Sequence, residues 1–96
     1  MATYVILSTM ENDTLASPGD FTNRASEVNK KIKQECPNVT WVNSYCLMGP
    51  YDVLDVVESD KPEEVQKAAM IIRVYGHAKT QTFAATKWDD FINVLK

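Results

Sequence analysis

Glycine is scarce in this chain. Gly19, Gly49 and Gly76 stand far apart, so there is no glycine-rich loop to cradle a phosphate. Histidine is rarer still. His77 is the only one and has no Cys or His beside it, which makes a zinc site a poor reading. Behind a helix-ending glycine it reads as a surface turn residue. Cys36 and Cys46 contain no CxxC and are too few for a disulfide framework, so they read as free thiols in a reducing compartment. No apolar run approaches the roughly 18–20 residues of a membrane span. The opening Met-Ala-Thr-Tyr-Val-Ile-Leu-Ser lacks the basic start and long apolar core of a secretory signal. The expected location is the cytoplasm, without membrane contact. An excess of positive charge is missing too: ten Lys plus Arg face thirteen Asp plus Glu, a net charge of −3. That argues against nucleic acid as a partner, because phosphates need many cations to neutralise them. Lys30, Lys31 and Lys33 form the only dense basic run and read as the solvated side of a helix.

What is present is one ordinary domain. Ninety-six residues with 45% apolar and 24% charged content suit a globular fold and exclude disorder. Residues 1–96 read as a single unit, with no linker and no repeat. Thr3 to Met10, rich in β-branched and aromatic residues, reads as a strand, with Tyr4, Ile6 and Ser8 on one side and Val5, Leu7 and Thr9 on the other. Polar residues, Pro and Gly from Glu11 to Asp20 predict a loop. Phe21, Ala25, Val28 and Ile32 recur at helical spacing, with Asp20 as the expected N-cap and Pro37-Asn38 as the stop. Thr40 to Leu47 and Tyr51 to Val57 read as two strands of a hairpin around Met48-Gly49-Pro50. Asp60 with Glu63 three residues on, in a capping-box-like pattern, and Pro62 in the first turn predict the start of a second helix, and Gly76 its positive-φ end. His77 to Ala85 reads as a fourth strand. A short last helix places Trp88, Phe91, Ile92 and Leu95 on one face.

This order predicts an α+β, ferredoxin-like βαββαβ fold: a four-stranded antiparallel sheet with two helices on one face, plus a C-terminal helix. Right-handed crossovers put the first and third strands in the middle. The uncovered face measures very roughly 300–400 Å², near the limit for an exposed patch on a monomer. Asp55 decides the assignment of faces. A mid-strand charge fits badly under helices, so Leu54 and Val56 are expected beneath them. Tyr51, Val53, Asp55 and Val57 are then expected on the open face, joined by Tyr4, Ile6, Ser8, Thr80 and Thr82. That face is expected to close against a second copy, giving a homodimer or higher homo-oligomer with small polar pockets in the interface.

At Gly49-Pro50-Tyr51-Asp52 the chain resembles the GYD-domain family of small bacterial and archaeal proteins. The first strand, Arg24 in the first helix, the segment Tyr51 to Val57, the acidic start of the second helix and Lys79-Thr80-Gln81-Thr82 extend the similarity over nearly the whole chain. The hairpin also resembles effector domains of Lrp/AsnC-type regulators. Both resemblances imply a ferredoxin-like fold of the dimeric α+β barrel kind, and the second implies small-molecule binding at subunit interfaces. Asp55 departs from the small apolar residue expected at that place in relatives.

The residues admit more than one chemistry. Gly49, Tyr51 and Asp52 read either as a ligand-facing corner or as turn residues, with Asp52 bonding loop amides. Asp55 reads as a general base if buried, or as the acceptor of a hydroxyl or cation across an interface. With Tyr4 and Thr82, these complete the expected binding set. The favoured function is a non-catalytic oligomeric module that binds a small molecule without any cofactor. A cofactor-independent monooxygenase or isomerase of the α+β barrel type, and a structural subunit of a larger assembly, remain as alternatives.

Overall fold

The computed structural model describes residues 1–11 and 16–96; residues 12–15 of the expected first loop lie outside the described part. In chain order the elements are β1 (Ala2–Met10), α1 (Pro18–Glu35), β2 (Thr40–Cys46), β3 (Val53–Ser59), α2 (Pro62–Tyr75), β4 (Ala78–Ala85) and α3 (Trp88–Leu95). The sheet runs β2-β3-β1-β4 with every pair antiparallel, so the first and third strands are central. The fold is the ferredoxin-like one that the sequence predicts.

Local chemistry sets the helix ends, with two corrections. Ser17, not Asp20, caps α1: its Oγ accepts from the Asp20 amide at 3.3 Å, and Pro18 enters the first turn. Asp20 answers by accepting from the Ala16 amide at 3.0 Å. This exchange resembles a capping box, reaching one residue further back. At α2 the N-cap is Lys61, without a side-chain cap, and Asp60 plays no capping part. Ser59 holds that turn instead. Its hydroxyl donates to the Asn38 carbonyl at 2.7 Å and accepts from the Lys61 amide at 3.0 Å.

The end of α2 differs from expectation for a steric reason. Gly76 has φ −87°, and the positive φ falls on His77 at 49°. Glycine is needed at 76 because a Cβ there would collide with the Ile72 carbonyl oxygen and touch Val28. This close approach brings α1 against the end of α2.

The core lies between the helices and one sheet face. Val28 and Ile32 of α1 and Val65, Ala68, Ile71 and Ile72 of α2 close on Ile6, Val57 and Ala78 of the sheet. This overturns the assignment of faces. Tyr4, Ile6, Ser8, Val53, Asp55 and Val57 do share one face, but it is the covered one: Ile6 and Val57 are fully buried, Ser8 is 2% exposed and Asp55 6%. The open face carries Val5, Leu7, Leu54 and Val56, with Phe83 and Tyr45 about half exposed on the outer strands. Its two central strands are more apolar than the expected mixture, because Tyr4, Ser8 and Asp55 point the other way; Asn43 and Gln81 stand on it at the outer strands. Asp55 tolerates burial because its carboxylate is hydrogen-bonded.

Among the described residues no helix is long and apolar enough to cross a membrane. α3 has no buried residue, and Trp88, Phe91 and Leu95 expose their apolar side chains.

Candidate functional site

The site is built by an irregularity in β2. Opposite Val57 stands Trp41, but opposite Val56 stands Asn43; Val42 is the extra residue of a bulge. Simple alternation would put Trp41 and Ser44 on opposite faces. The bulge reverses the parity, so both face the helices beside Asp55. The Trp41 Nε1–H then donates to Ser44 Oγ at 3.0 Å and to Asp55 Oδ1 at 3.1 Å, while the Ser44 hydroxyl donates to Asp55 Oδ1 at 2.6 Å. Three side chains from two strands thus form a closed polar cluster.

This cluster borders a cavity of about 290 Å³ between α1 and the sheet. α1 contributes Phe21, Arg24, Ala25 and Val28, and Ile72 of α2 and Gly76 just after it also line the cavity. Asp55, Ser44 and Ser8 supply polar atoms from the sheet side. The volume falls just below the roughly 300–1,000 Å³ typical of ligand sites, and the mostly apolar lining with a few polar groups is typical of them. Arg24 already has an interaction partner of its own.

Ser8 is the unusual member. The residue lines the cavity, while its Oγ is itself buried and has no hydrogen-bond partner in the protein; among the described residues it is the one such atom. An unbonded buried hydroxyl costs roughly 1–3 kcal/mol. Asp55 and Ser8 are near neighbours on this face, since Ser8 pairs with Val53 and Asp55 is two residues further along β3. Such diagonal neighbours lie about 7–8 Å apart at Cα.

The other expected site residues lie elsewhere. Gly49 takes φ +122° in the hairpin turn, a conformation suited to glycine. Asp52 ties this turn to β1: its amide donates to the Ser8 carbonyl at 2.8 Å and its Oδ2 accepts from the Met10 amide at 2.7 Å. β3 starts at Val53, two residues later than expected, so Tyr51 and Asp52 belong to the turn. The Tyr51 hydroxyl donates to Gln81 Oε1 at 2.9 Å. None of Gly49, Tyr51 and Asp52 lines the cavity. Tyr4 packs against the core, and Thr82, opposite Ile6, is exposed on the outer strand. The expected binding set is therefore divided, and only Asp55 of it lines the cavity. Sequence reasoning missed Ser44 and the role of Trp41, because a bulge leaves no reliable mark in a strand. The one legible signal was an Asp among aliphatic residues.

Among the described residues no three His, Cys, Asp or Glu side chains converge as a metal site would require. Both cysteines are free thiols, Cys36 buried and Cys46 exposed at the cavity. Burial pushes the Cys36 thiol up, against the lowering effect of Lys67.

Comparison with known proteins agrees with this architecture. A Thermus thermophilus protein described as a glutamine synthetase and cystathionine beta-lyase binding protein is 32% identical over 96 residues, covering the whole of both chains. Among solved structures, the leucine response regulatory protein of Mycobacterium tuberculosis superposes with a TM-score of 0.61 at 13% identity; 90% of this chain spans 51% of that one. Chlorite dismutase from Candidatus Nitrospira defluvii gives 0.65 at 18% identity, with 90% of this chain spanning 40% of the enzyme. At such identities the likeness shows the fold alone. The model of the GYD domain matches residues 4–95, and the chain belongs to the GYD-domain family.

Proposed function

We propose that this protein is a cytoplasmic, homo-oligomeric, non-catalytic binding module that holds a small molecule in the cavity between α1 and the sheet. The observation that carries the reading is Ser8, a residue of the cavity lining whose buried hydroxyl has no protein partner and which is a near neighbour of Asp55. A fold optimised for stability alone would place an apolar side chain there. Binding is favoured over catalysis by the lining itself. Asp55 is the one carboxylate among the described lining residues, no histidine is among them, and Asp55 Oδ1 already accepts two hydrogen bonds. An acid–base mechanism wants a second group beside it with a matched pKa, and the thiol and phenol of the lining, Cys46 and Tyr45, belong to exposed residues of the outer strand β2.

Self-association belongs to the same reading. The open face carries Val5, Leu7, Leu54, Val56 and Phe83 as one apolar group, with Asn43 and Gln81 on the outer strands. By itself it supplies only about half of the roughly 800 Å² per partner of a standard interface. The exposed face of α3, with Trp88, Phe91 and Leu95, adds the remaining apolar surface against a second copy.

A thermal-shift screen of small metabolites tests the ligand. A compound at a hundred times its dissociation constant stabilises by about 2.7 kcal/mol, or roughly 10 °C or more for a domain of this size. A broad set of amines, amino acids and small aromatics that leaves the melting temperature unchanged would overturn the reading.

The Thermus thermophilus relative favours a second level of binding, to metabolic enzymes such as the two in its name. Mixing the protein with purified glutamine synthetase and following sedimentation tests it; two independent boundaries at micromolar concentrations would refute it.

A further inference from the structure

We propose that the cavity selects compact apolar molecules carrying a primary ammonium group and rejects the matching carboxylates. The inference rests on the pocket reading above and adds the chemical class of the ligand. Two atoms decide it. Both described hydrogen bonds to Asp55 end on Oδ1, so Oδ2 keeps its capacity to accept. Ser8 Oγ is buried with nothing bonded to it. One tetrahedral donor with three N–H groups can bridge two oxygens roughly 5 Å apart, each at about 2.8 Å. The diagonal placement of Ser8 and Asp55 on neighbouring strands allows such a span.

The rest of the cavity is complementary to an apolar body. Phe21, Ala25, Val28, Met10 and Ile72 offer hydrocarbon, and about 290 Å³ accommodates a small aliphatic or aromatic group. A carboxylate ligand would meet the Asp55 carboxylate on this floor. Arg24, the cation among the described lining residues, already has an interaction partner of its own.

The test uses matched pairs on one body: benzylamine against benzoate, and isoamylamine against isovalerate, titrated into the full-length protein at neutral pH and constant ionic strength. Amide resonances of Ser8, Ser44 and Asp55 report on the cavity. The amines are expected to shift them saturably and to bind at least ten times more tightly than their partners, as expected for one charge-assisted hydrogen bond. Asp55→Asn should weaken amine binding at least tenfold. Ser8→Ala removes only an unpartnered hydroxyl, so it keeps the fold and should weaken binding several-fold; it keeps the test decisive if the Asn variant does not fold. Carboxylates that saturate the same resonances as tightly as the amines would overturn the ligand class and leave the pocket reading standing. No saturable shift of these resonances by any of the four compounds would overturn both.

Discussion

Replacing Ser8 with alanine should make this protein more stable. The reasoning runs against the usual result for a buried position, where most substitutions destabilise. Ser8 is 2% exposed and its hydroxyl has no protein partner. The folded state therefore carries a desolvation penalty of roughly 1–3 kcal/mol that the unfolded chain avoids. Ser8→Ala removes that penalty and leaves behind only the space of one oxygen atom at the wall of an existing cavity. Allowing for lost dispersion contacts, the expected gain is about 1 kcal/mol, or a rise of about 4–8 °C in melting temperature. Ser44→Ala is the matched control. Its hydroxyl donates to Asp55 and accepts from Trp41, so its loss should cost about 0.5–1.5 kcal/mol. Urea unfolding of the three proteins, at one protein concentration and with equal m-values, gives both numbers. If Ser8→Ala lowers stability by as much as Ser44→Ala does, the hydroxyl is structurally satisfied, and the argument that the cavity floor awaits a ligand fails.

Other consequences can be checked directly. Gly76→Ala places a methyl group against the Ile72 carbonyl and Val28, and should cost about 1–3 kcal/mol in urea unfolding. Val56→Lys puts an ammonium at the centre of the open face. It should raise the self-dissociation constant at least a hundredfold by sedimentation, because an unpaired buried charge costs several kcal/mol; far-UV circular dichroism should not change. Glu64 accepts from the side chain and backbone of Asn38, and these bonds hold its carboxyl below the usual range. A depressed folded-state value means that the stabilisation is complete above the unfolded value of about 4.3 and is lost as pH falls through the folded one. The advantage of wild type over Glu64→Gln should therefore shrink below about pH 4 in acid titrations of the urea midpoint. Cys46 should react with a thiol reagent in the native protein, whereas Cys36, buried and with its thiol pushed up by burial, should react only on unfolding.

Burial of the polar residues is also informative about self-association. With Asp55, Ser8 and Tyr4 turned towards the helices, the middle of the open face is a surface of Val5, Leu7, Leu54, Val56 and Phe83, with Asn43 and Gln81 on the outer strands. The departure of Asp55 from a small apolar residue therefore does not fall on that surface. The proposed subunit contact and the proposed ligand site separate onto opposite faces of the same sheet.

The amino-acid sequence by itself determined the elements, their order and the sheet topology. Spacing of apolar residues and the chemistry of turns are local properties, and local interactions decide where helices and strands form. It also determined which residues of β1 and β3 share a face, because side chains alternate along a strand whatever covers them. It could not determine which face the helices would cover. That choice depends on whether Asp55 finds donors, and its donors come from β2, brought into position by the bulge at Val42. Nor could it show that Gly76 serves close packing against Ile72 and Val28, with the positive φ left to His77. The cavity, its unpartnered serine and its buried carboxylate are products of long-range contacts. Tertiary structure alone decided them, because a polar group in a strand is costly or useful only according to what the rest of the chain sets opposite it.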